Sequence, residues 1–356
     1  MVTLANLERF GEIGCEVTVV QPGPIHYYSG MGPGMLSKMY SPREISFATR
    51  DIVERKHSVF LQDKAELIDP VSKTVKLQSG KVLEYNVLSC NVGSFVPDKI
   101  VAPQGEDIFP VKPIAKLLEA RERIQELLKQ GDCSFAVVGG GPAALEIAAN
   151  VRRLVKDQGN DATEVAIFAG RGFMSAFSRR LRKKVSGHLQ KLGIRVIEQG
   201  YVTQVDTRKI VLEDGSLWEP DLSLLALGVR PSSLFEESEL PTGPDGGLLV
   251  NKYLQSVEYP EIFGGGDCIC FQPKTLDKVG VYAVRQNSVL LNNLMSAVHG
   301  GELQSFQPQG KYMLIFNTGD GKGIFARGSL VLDGKWAFKL KDRVDRKFMQ
   351  RFKALE

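Results

Sequence analysis

One α/β unit occurs twice in this chain, and that duplication restricts the folds open to it more than any single motif does. Leu77-Gln78-Ser79-Gly80, followed by Glu84, Asn86 and Val92-Gly93, matches Leu212-Glu213-Asp214-Gly215, followed by Glu219, Asp221 and Leu227-Gly228, at a constant offset of 135 positions. Each stretch predicts a strand, a tight turn at Ser-Gly or Asp-Gly, a second strand, then a buried apolar strand ending in glycine. Upstream, Ala65-Glu66-Leu67-Ile68-Asp69 parallels Val202-Thr203-Gln204-Val205-Asp206. Further back, Glu16-Val17-Thr18-Val19-Val20 parallels Glu164-Val165-Ala166-Ile167-Phe168. Elements repeated in one order predict an α/β chain of two related units, and 356 residues leave room for a short third region.

The second copy opens with an apolar strand, Phe135-Ala136-Val137-Val138, and then Gly139-Gly140-Gly141-Pro142-Ala143-Ala144. A helical pattern follows, with Leu145, Ile147, Ala148, Val151 and Leu154 on its apolar side. A G-x-G-x-x-A run set between strand and helix is a dinucleotide-binding turn. Gly139 permits the bend, Gly141 lets backbone approach a pyrophosphate, and Ala144 keeps the helix close to the strand. Unpaired N–H groups at the helix start add positive potential for phosphates. Here 25 residues separate Gly139 from Glu164, whereas only 15 precede Glu16 in the first copy. The matching strand and turn are therefore expected ahead of Met1, with Thr3 to Phe10 as the rest of their helix, Leu4 and Leu7 facing inward. A mis-called start codon is the favoured cause, and a genuine truncation the alternative.

Hydrophobic residues at 43% and charged residues at 24% suit a soluble globular chain. The sequence has no apolar run of the roughly 18 residues that would span a bilayer, and its start has no signal-peptide pattern. Five cysteines without a C-x-x-C argue for a reducing, cytoplasmic setting and against a disulfide framework or zinc site. Four scattered histidines argue against a metal centre. The net charge of +4 belongs to the tail: from Lys335 to Glu356 eight Lys/Arg face three acids, and the rest is about neutral. No nucleic-acid partner is expected.

Further motifs carry a family resemblance. They are Tyr28-Ser29-Gly30-Met31 with Pro33-Gly34, Cys90-Asn91-Val92-Gly93-Ser94, Ala226-Leu227-Gly228 and Gly265-Gly266-Asp267-Cys268. Lys278 to Gln286 and Asp345-Arg346-Lys347-Phe348-Met349 complete the set. With the turn at Gly139, they make essentially the whole chain resemble the FAD/NAD(P)H pyridine nucleotide-disulfide oxidoreductase superfamily, in its branch without a redox disulfide. Within that branch it is similar to the flavoprotein often fused to selenide, water dikinase, a relative of type II NADH dehydrogenases.

The resemblance implies two Rossmann-like FAD/NAD(P)-binding domains of the three-layer ββα type and a short α+β C-terminal region. Residues 1–108 would form the first FAD segment, without its first strand and glycine loop, and residues 109–236 the NAD(P)H domain. Residues 237–300 would return to the FAD domain, and 301–356 would hold the C-terminal strands and a basic amphipathic helix. FAD would lie against Gln21, Pro33, Asn91, Gly93, Gly266, Asp267, Gly280 and Val281. NAD(P)H would lie against Gly139, Gly141, Ala144, Glu146, Arg171 and Gly228. Asp267 would lie by the ribityl or pyrophosphate part, its carboxylate accepting hydrogen bonds from sugar hydroxyls, the bland alternative being a capped turn. A helix beginning at Gly280 would set its positive end toward reduced flavin.

Hydride transfer between nicotinamide and flavin needs cofactors held stacked in a dry cleft and no protein nucleophile. No catalytic residue is certain; Glu146, near the nicotinamide, is the one candidate, and an ordinary exposed helix glutamate is its alternative. Ala169, Gly170 and Arg171 stand where NAD sites carry an acid. With Arg179, Arg180, Arg182, Lys183 and Lys184 following, the pattern leans to NADPH and leaves NADH open, although a solvated helix face also explains the run. Cys268 and Cys270 read as structural, which sets aside disulfide reductases and sulfide:quinone oxidoreductases. The expected activity is that of an FAD-dependent NAD(P)H oxidoreductase with a small acceptor, a quinone first. The rival is a truncated nucleotide-binding sensor or partner with little flavin, linked to selenium metabolism.

In the tail, Lys311 to Gly334 predicts short strands around Asn317-Thr318-Gly319-Asp320-Gly321. A helix follows, with Leu340, Val344, Phe348, Phe352 and Leu355 on one face and Lys341, Arg343, Arg346, Lys347, Arg351 and Lys353 on the other. Such a helix can lie on the inner face of an anionic membrane, dock on the FAD domain, or pair in a homodimer. Docking is favoured, because Asp342 and Asp345 interrupt the basic face.

Overall fold

The computed structural model describes residues 1–310 and 312–356; Lys311, where the tail strands were expected to begin, lies outside the described residues. The first unit supplies β1 (Thr18–Gln21), the short helix α1 (Gly32–Leu36), β2 (Val59–Gln62) and β3 (Leu88–Cys90). The second comprises β4 (Ile108–Pro110), α2 (Ala115–Leu128), β5 (Ser134–Val138), α3 (Pro142–Asp157), β6 (Glu164–Phe168), α4 (Arg179–Lys191), β7 (Ile194–Ile197) and β8 (Leu222–Leu225). The chain then returns to the first unit with β9 (Ile262–Gly264) and α5 (Gly280–His299). It closes with β10 (Leu314–Asn317), β11 (Gly323–Arg327), β12 (Leu330–Gly334) and α6 (Lys335–Lys353).

In the second unit five strands form one parallel sheet in the order β4-β8-β5-β6-β7. Its central strand, Phe135-Ala136-Val137-Val138, is buried throughout, because helices cover both faces of a parallel sheet and leave no polar side. The first unit repeats this plan around a different centre. β1 pairs with β2 and β3 pairs with β9, both parallel, but no described strand joins the inner edges of β1 and β3. The counterpart of β5 is thus not among the described residues. Helical turns at Val2–Ala5 and Leu7–Gly11 stand where the helix after that strand was expected, with Leu7 buried.

Each unit also carries a three-stranded antiparallel sheet, Ala65–Asp69 with Thr74–Leu77 and Val82–Glu84, and Val202–Asp206 with Lys209–Leu212 and Leu217–Trp218. Both sheets shift register at the same place, between Ala65 and Leu67 and between Val202 and Gln204. The turns use Gly80 and Gly215 at φ +87° and +80°, where an L side chain is strained. The duplication therefore extends to an irregularity.

Two hydrophobic cores result. One joins β3, β9 and α5 with residues such as Ile68, Phe235, Phe263 and Leu290. The other belongs to the second unit but also takes in Met31, Met35, Leu36, Ile45 and Phe47 of the first, together with Phe316, Met349 and Phe352 of the tail. Segment 31–47 and the tail are packed together onto the second unit.

Helix α6 docks as expected, on a face that differs from the predicted one. Phe348 and Phe352 pack on Phe47, with ring centroids 6.4 and 6.0 Å away, and Phe348 also meets Tyr28 at 4.7 Å. Val344, predicted inward, is 49% exposed. Lys341 and Asp345 turn inward, with side chains 14% and 8% exposed and 2.6 Å apart. Each step of four residues rotates by about 40° on a helix of about 3.6 residues per turn. A stripe from Leu340 to Phe352 therefore winds through roughly 120°, and one flat neighbour cannot cover it. Asp342 and Asp345 do more than interrupt a basic face. They accept hydrogen bonds from Tyr40 and Tyr28, at 2.8 and 3.1 Å, and so tie the helix down.

Candidate functional site

The end of β5 shows why its glycines are there. Gly139 sits at φ +145°, and a Cβ on it would lie 2.1 Å from the carbonyl oxygen of Ala226, the residue after β8. Gly141 caps α3 with an extended backbone, and a Cβ built there meets nothing within 4 Å. Open space at the N-terminus of a 16-residue helix is what a pyrophosphate requires. Ala144 is fully buried against the sheet, and Gly228 bends at φ +86° just past β8. These four residues lie at the carboxyl ends of adjacent parallel strands, where ligands of open α/β sheets bind.

Glu146, one turn into α3, is half-buried rather than an ordinary exposed glutamate. Its Oε1 accepts a hydrogen bond from the backbone N–H of Asn317 at 2.7 Å. Burial pushes its carboxyl above the ordinary carboxylate range, with the charge of Lys341 opposing. Arg171, past the end of β6, is exposed; its guanidinium lies 3.0 Å from Glu213 and over the ring of Tyr201 at 5.9 Å. In the following basic run Arg179, Arg180 and Lys183 are exposed, while Lys184 pairs with Asp333 and Arg182 donates to the Phe173 carbonyl. The run is mostly a solvated helix face.

The second cluster forms where β3 and β9 end together. The Gly265 N–H donates to the Cys90 carbonyl at 3.1 Å, and Asn91 lies beside Gly265. Gly266 turns at φ +79° and its N–H donates to Gln286 of α5 at 2.7 Å. Gly93 turns at φ +69°. A small cleft opens here, lined by Gly266, Asp267, Val279, Tyr282 and Ala283, so the start of α5 faces the Gly-Asp turn. Gly280 has open space around it, and Val281 is half-buried beside it. Pro33 occupies the first turn of α1. The side-chain amide of Gln21, at the end of β1, is turned onto its own loop, donating to the Gly23 and Ile25 carbonyls at 2.5 and 3.3 Å.

Three residues of this cluster were missed in the sequence: Gln286, Ser94 and Lys112. Gln286 lies in a quoted motif, and its burial inside a helix was the available signal. Lys112 had none, since it meets Asp267 across 155 residues. All five cysteines are free thiols, and Cys90 and Cys268 are buried. Burial holds the Cys90 thiol well above its usual range and pushes Cys268 up to about 11. The Cys268 thiol donates to the Cys90 and Gly265 carbonyls at 3.4 and 3.2 Å, which fastens the turn to β3.

Residues 2–297 match the family described as pyridine nucleotide-disulphide oxidoreductase. Ferroptosis suppressor protein 1 of Xenopus laevis is 27% identical over 306 residues, covering 79% of this chain and 76% of that protein. The mitochondrial internal alternative NAD(P)H-ubiquinone oxidoreductase A1 of Arabidopsis thaliana is 28% identical over 182 residues, 48% of this chain and only 36% of that relative. The structure of NDH2 from Plasmodium falciparum in complex with NADH superposes with a TM-score of 0.83 at 16% identity, covering 98% of this chain and 94% of that one, which shows a shared fold. The chain belongs to the pyridine nucleotide-disulphide oxidoreductase family.

Proposed function

We propose that this protein is an FAD-dependent NAD(P)H oxidoreductase that takes hydride from NAD(P)H and delivers electrons to a small acceptor, a quinone being the first candidate. The observation that carries the reading is the pair of glycine clusters, at Gly139–Gly141 before α3 and at Gly265–Asp267 before α5, each opening onto unfilled space at a helix start. FAD, when bound, supplies the two-electron carrier between nicotinamide and acceptor. The chain's part is to hold and orient. Gly139, Gly141, Ala144 and Gly228 would seat the nicotinamide nucleotide, with Glu146 beside its ring. Gln21, Pro33, Asn91, Gly93, Gly266, Asp267, Gly280 and Val281 would line the flavin site. The dipole of α5, a helix of 20 residues, would favour negative charge at its start. Arg171, with Ala169 in place of an acid, supports NADPH as the preferred donor. The relatives named for NAD(P)H-ubiquinone oxidoreductase activity support the quinone. The meeting of Tyr28 with Asp345 and Phe348, from two subfamily motifs, supports a place beside the flavoproteins fused to selenide, water dikinase.

The purified chain supplemented with FAD is expected to turn yellow, and its visible flavin bands to bleach anaerobically on adding NADPH, more slowly with NADH. Return of colour on adding a soluble ubiquinone analogue identifies the acceptor class. A chain that stays colourless with FAD present sinks the reading.

A quinone acceptor also suits a lipid surface. No helix among the described residues is long and apolar enough to cross a membrane. Along the solvent side of α6, however, Lys335, Lys339, Arg343, Lys347 and Arg351 are all exposed, and none forms an ion pair among the described residues. Beside them Trp336, Val344, Leu330 and Leu332 are 46%, 49%, 47% and 41% exposed. An anionic bilayer attracts each such cation by about 1 kcal/mol and receives apolar tips. In a Trp218→Phe background, Trp336 emission is expected to shift to the blue with vesicles of phosphatidylcholine and phosphatidylglycerol, and to return with salt. Equal behaviour with pure phosphatidylcholine vesicles argues against the lipid surface.

A further inference from the structure

Lys112 belongs to the second unit by its backbone and to the first by its charge. The preceding residue, Val111, donates its N–H to the Leu225 carbonyl at 3.0 Å, which anchors the segment to the end of β8. From there the Lys112 ammonium reaches the Gly-Asp turn after β9, 2.7 Å from Asp267 Oδ2 and 3.0 Å from Ser94 Oγ. The Ser94 hydroxyl donates to the same carboxylate oxygen at 2.9 Å, closing a triangle. The side chains of Lys112 and Asp267 are 24% and 15% exposed, so water screens the pair only in part. Among the described residues Asp267 Oδ1 takes no hydrogen bond, and Asp267 lines the cleft before α5. One oxygen is thus pinned and the other presented. Lys278, also at this cleft, is occupied by Asp245 at 2.7 Å.

From this triangle we infer that Lys112 is a positioning residue for the flavin site, which fixes Asp267 in one rotamer and offsets its charge so that an anionic nucleotide can lie beside it. A pyrophosphate brings negative charge to the Gly-Asp turn, and a carboxylate without a counter-ion there opposes it. Lys112 supplies that counter-ion from across the domain boundary. Occupancy of the flavin site is thereby linked to the seating of β4 on the second unit's sheet. The inference rests on the flavin reading above.

The experiment measures the FAD dissociation constant of apoprotein by quenching of flavin fluorescence, for wild type, Lys112→Met, Lys112→Arg, Asp267→Asn and Lys112→Met/Asp267→Asn. Lys112→Met is expected to weaken binding by about thirtyfold, and Lys112→Arg to stay within about threefold of wild type. Once Asp267 is neutral there is no charge left to offset, so Lys112→Met is expected to add less than about threefold on the Asp267→Asn background. The midpoint potential of flavin bound to Lys112→Met is expected to fall, because removal of a cation disfavours the more negative reduced form. Wild-type affinity in Lys112→Met, or a full loss repeated on the Asp267→Asn background, overturns the inference. If Lys112→Met is not recovered folded, as judged by circular dichroism, Lys112→Gln takes its place in both arms. Failure of wild type to bind FAD would instead overturn the flavin reading itself.

Discussion

Replacing Gly139 with alanine is expected to destabilise the protein by about 4 kcal/mol and to abolish binding of nicotinamide nucleotide. The added Cβ would lie 2.1 Å from the Ala226 carbonyl oxygen and 2.6 Å from its carbon, on a backbone at φ +145° that L residues avoid. Relief requires the end of β5 to part from β8, which disrupts the centre of the five-stranded sheet. Gly141→Ala tests the opposite case. Its φ is −101° and nothing in the chain lies within 4 Å of the new methyl group, so urea unfolding is expected to change by less than about 0.5 kcal/mol. The methyl group occupies the space where a pyrophosphate would lie, so NADPH affinity is expected to drop by at least about tenfold, equivalent to roughly 1.4 kcal/mol. Calorimetric titration with NADPH, set beside urea midpoints, separates the two. Equal stability losses in both variants would refute the assignment of Gly141 to ligand contact.

Phe352→Ala is expected to cost about 4 kcal/mol, against less than about 0.5 kcal/mol for Val344→Ala. Phe352 is 2% exposed and meets Phe47 edge-on at 6.0 Å, within the core shared by segment 31–47, the second unit and the tail. Its removal leaves a cavity that the closed arrangement around Phe47 cannot fill. Val344 points to solvent, although the sequence pattern puts both residues on one apolar stripe. Urea denaturation followed by far-ultraviolet circular dichroism reads both, and comparable losses would restore the predicted face.

What could be read along the chain was what depends on near neighbours. The strand–turn–strand units at Leu77–Glu84 and Leu212–Glu219 follow from alternating apolar residues and from glycines that alone relax at positive φ. The same holds for the turn at Gly139, whose geometry is legible because the glycine bend and the helix start lie within six residues of one another. Gln286 and the Gly-Asp turn were half legible, as a motif without its partner.

The amino-acid order by itself determined two copies of one α/β unit, their strands and turns, and the place of the glycine bend ahead of α3, because these are local and periodic. Only the tertiary structure decided that segment 31–47 and the tail share the second unit's core, and that Tyr28 donates to Asp345 across 317 residues. It also decided that Lys112 meets Asp267, and that α6 turns Lys341 inward and Val344 outward. The reason is physical. Which face of a helix is buried, and which charge meets which, depends on the surface brought against it, and chain periodicity carries no record of that surface.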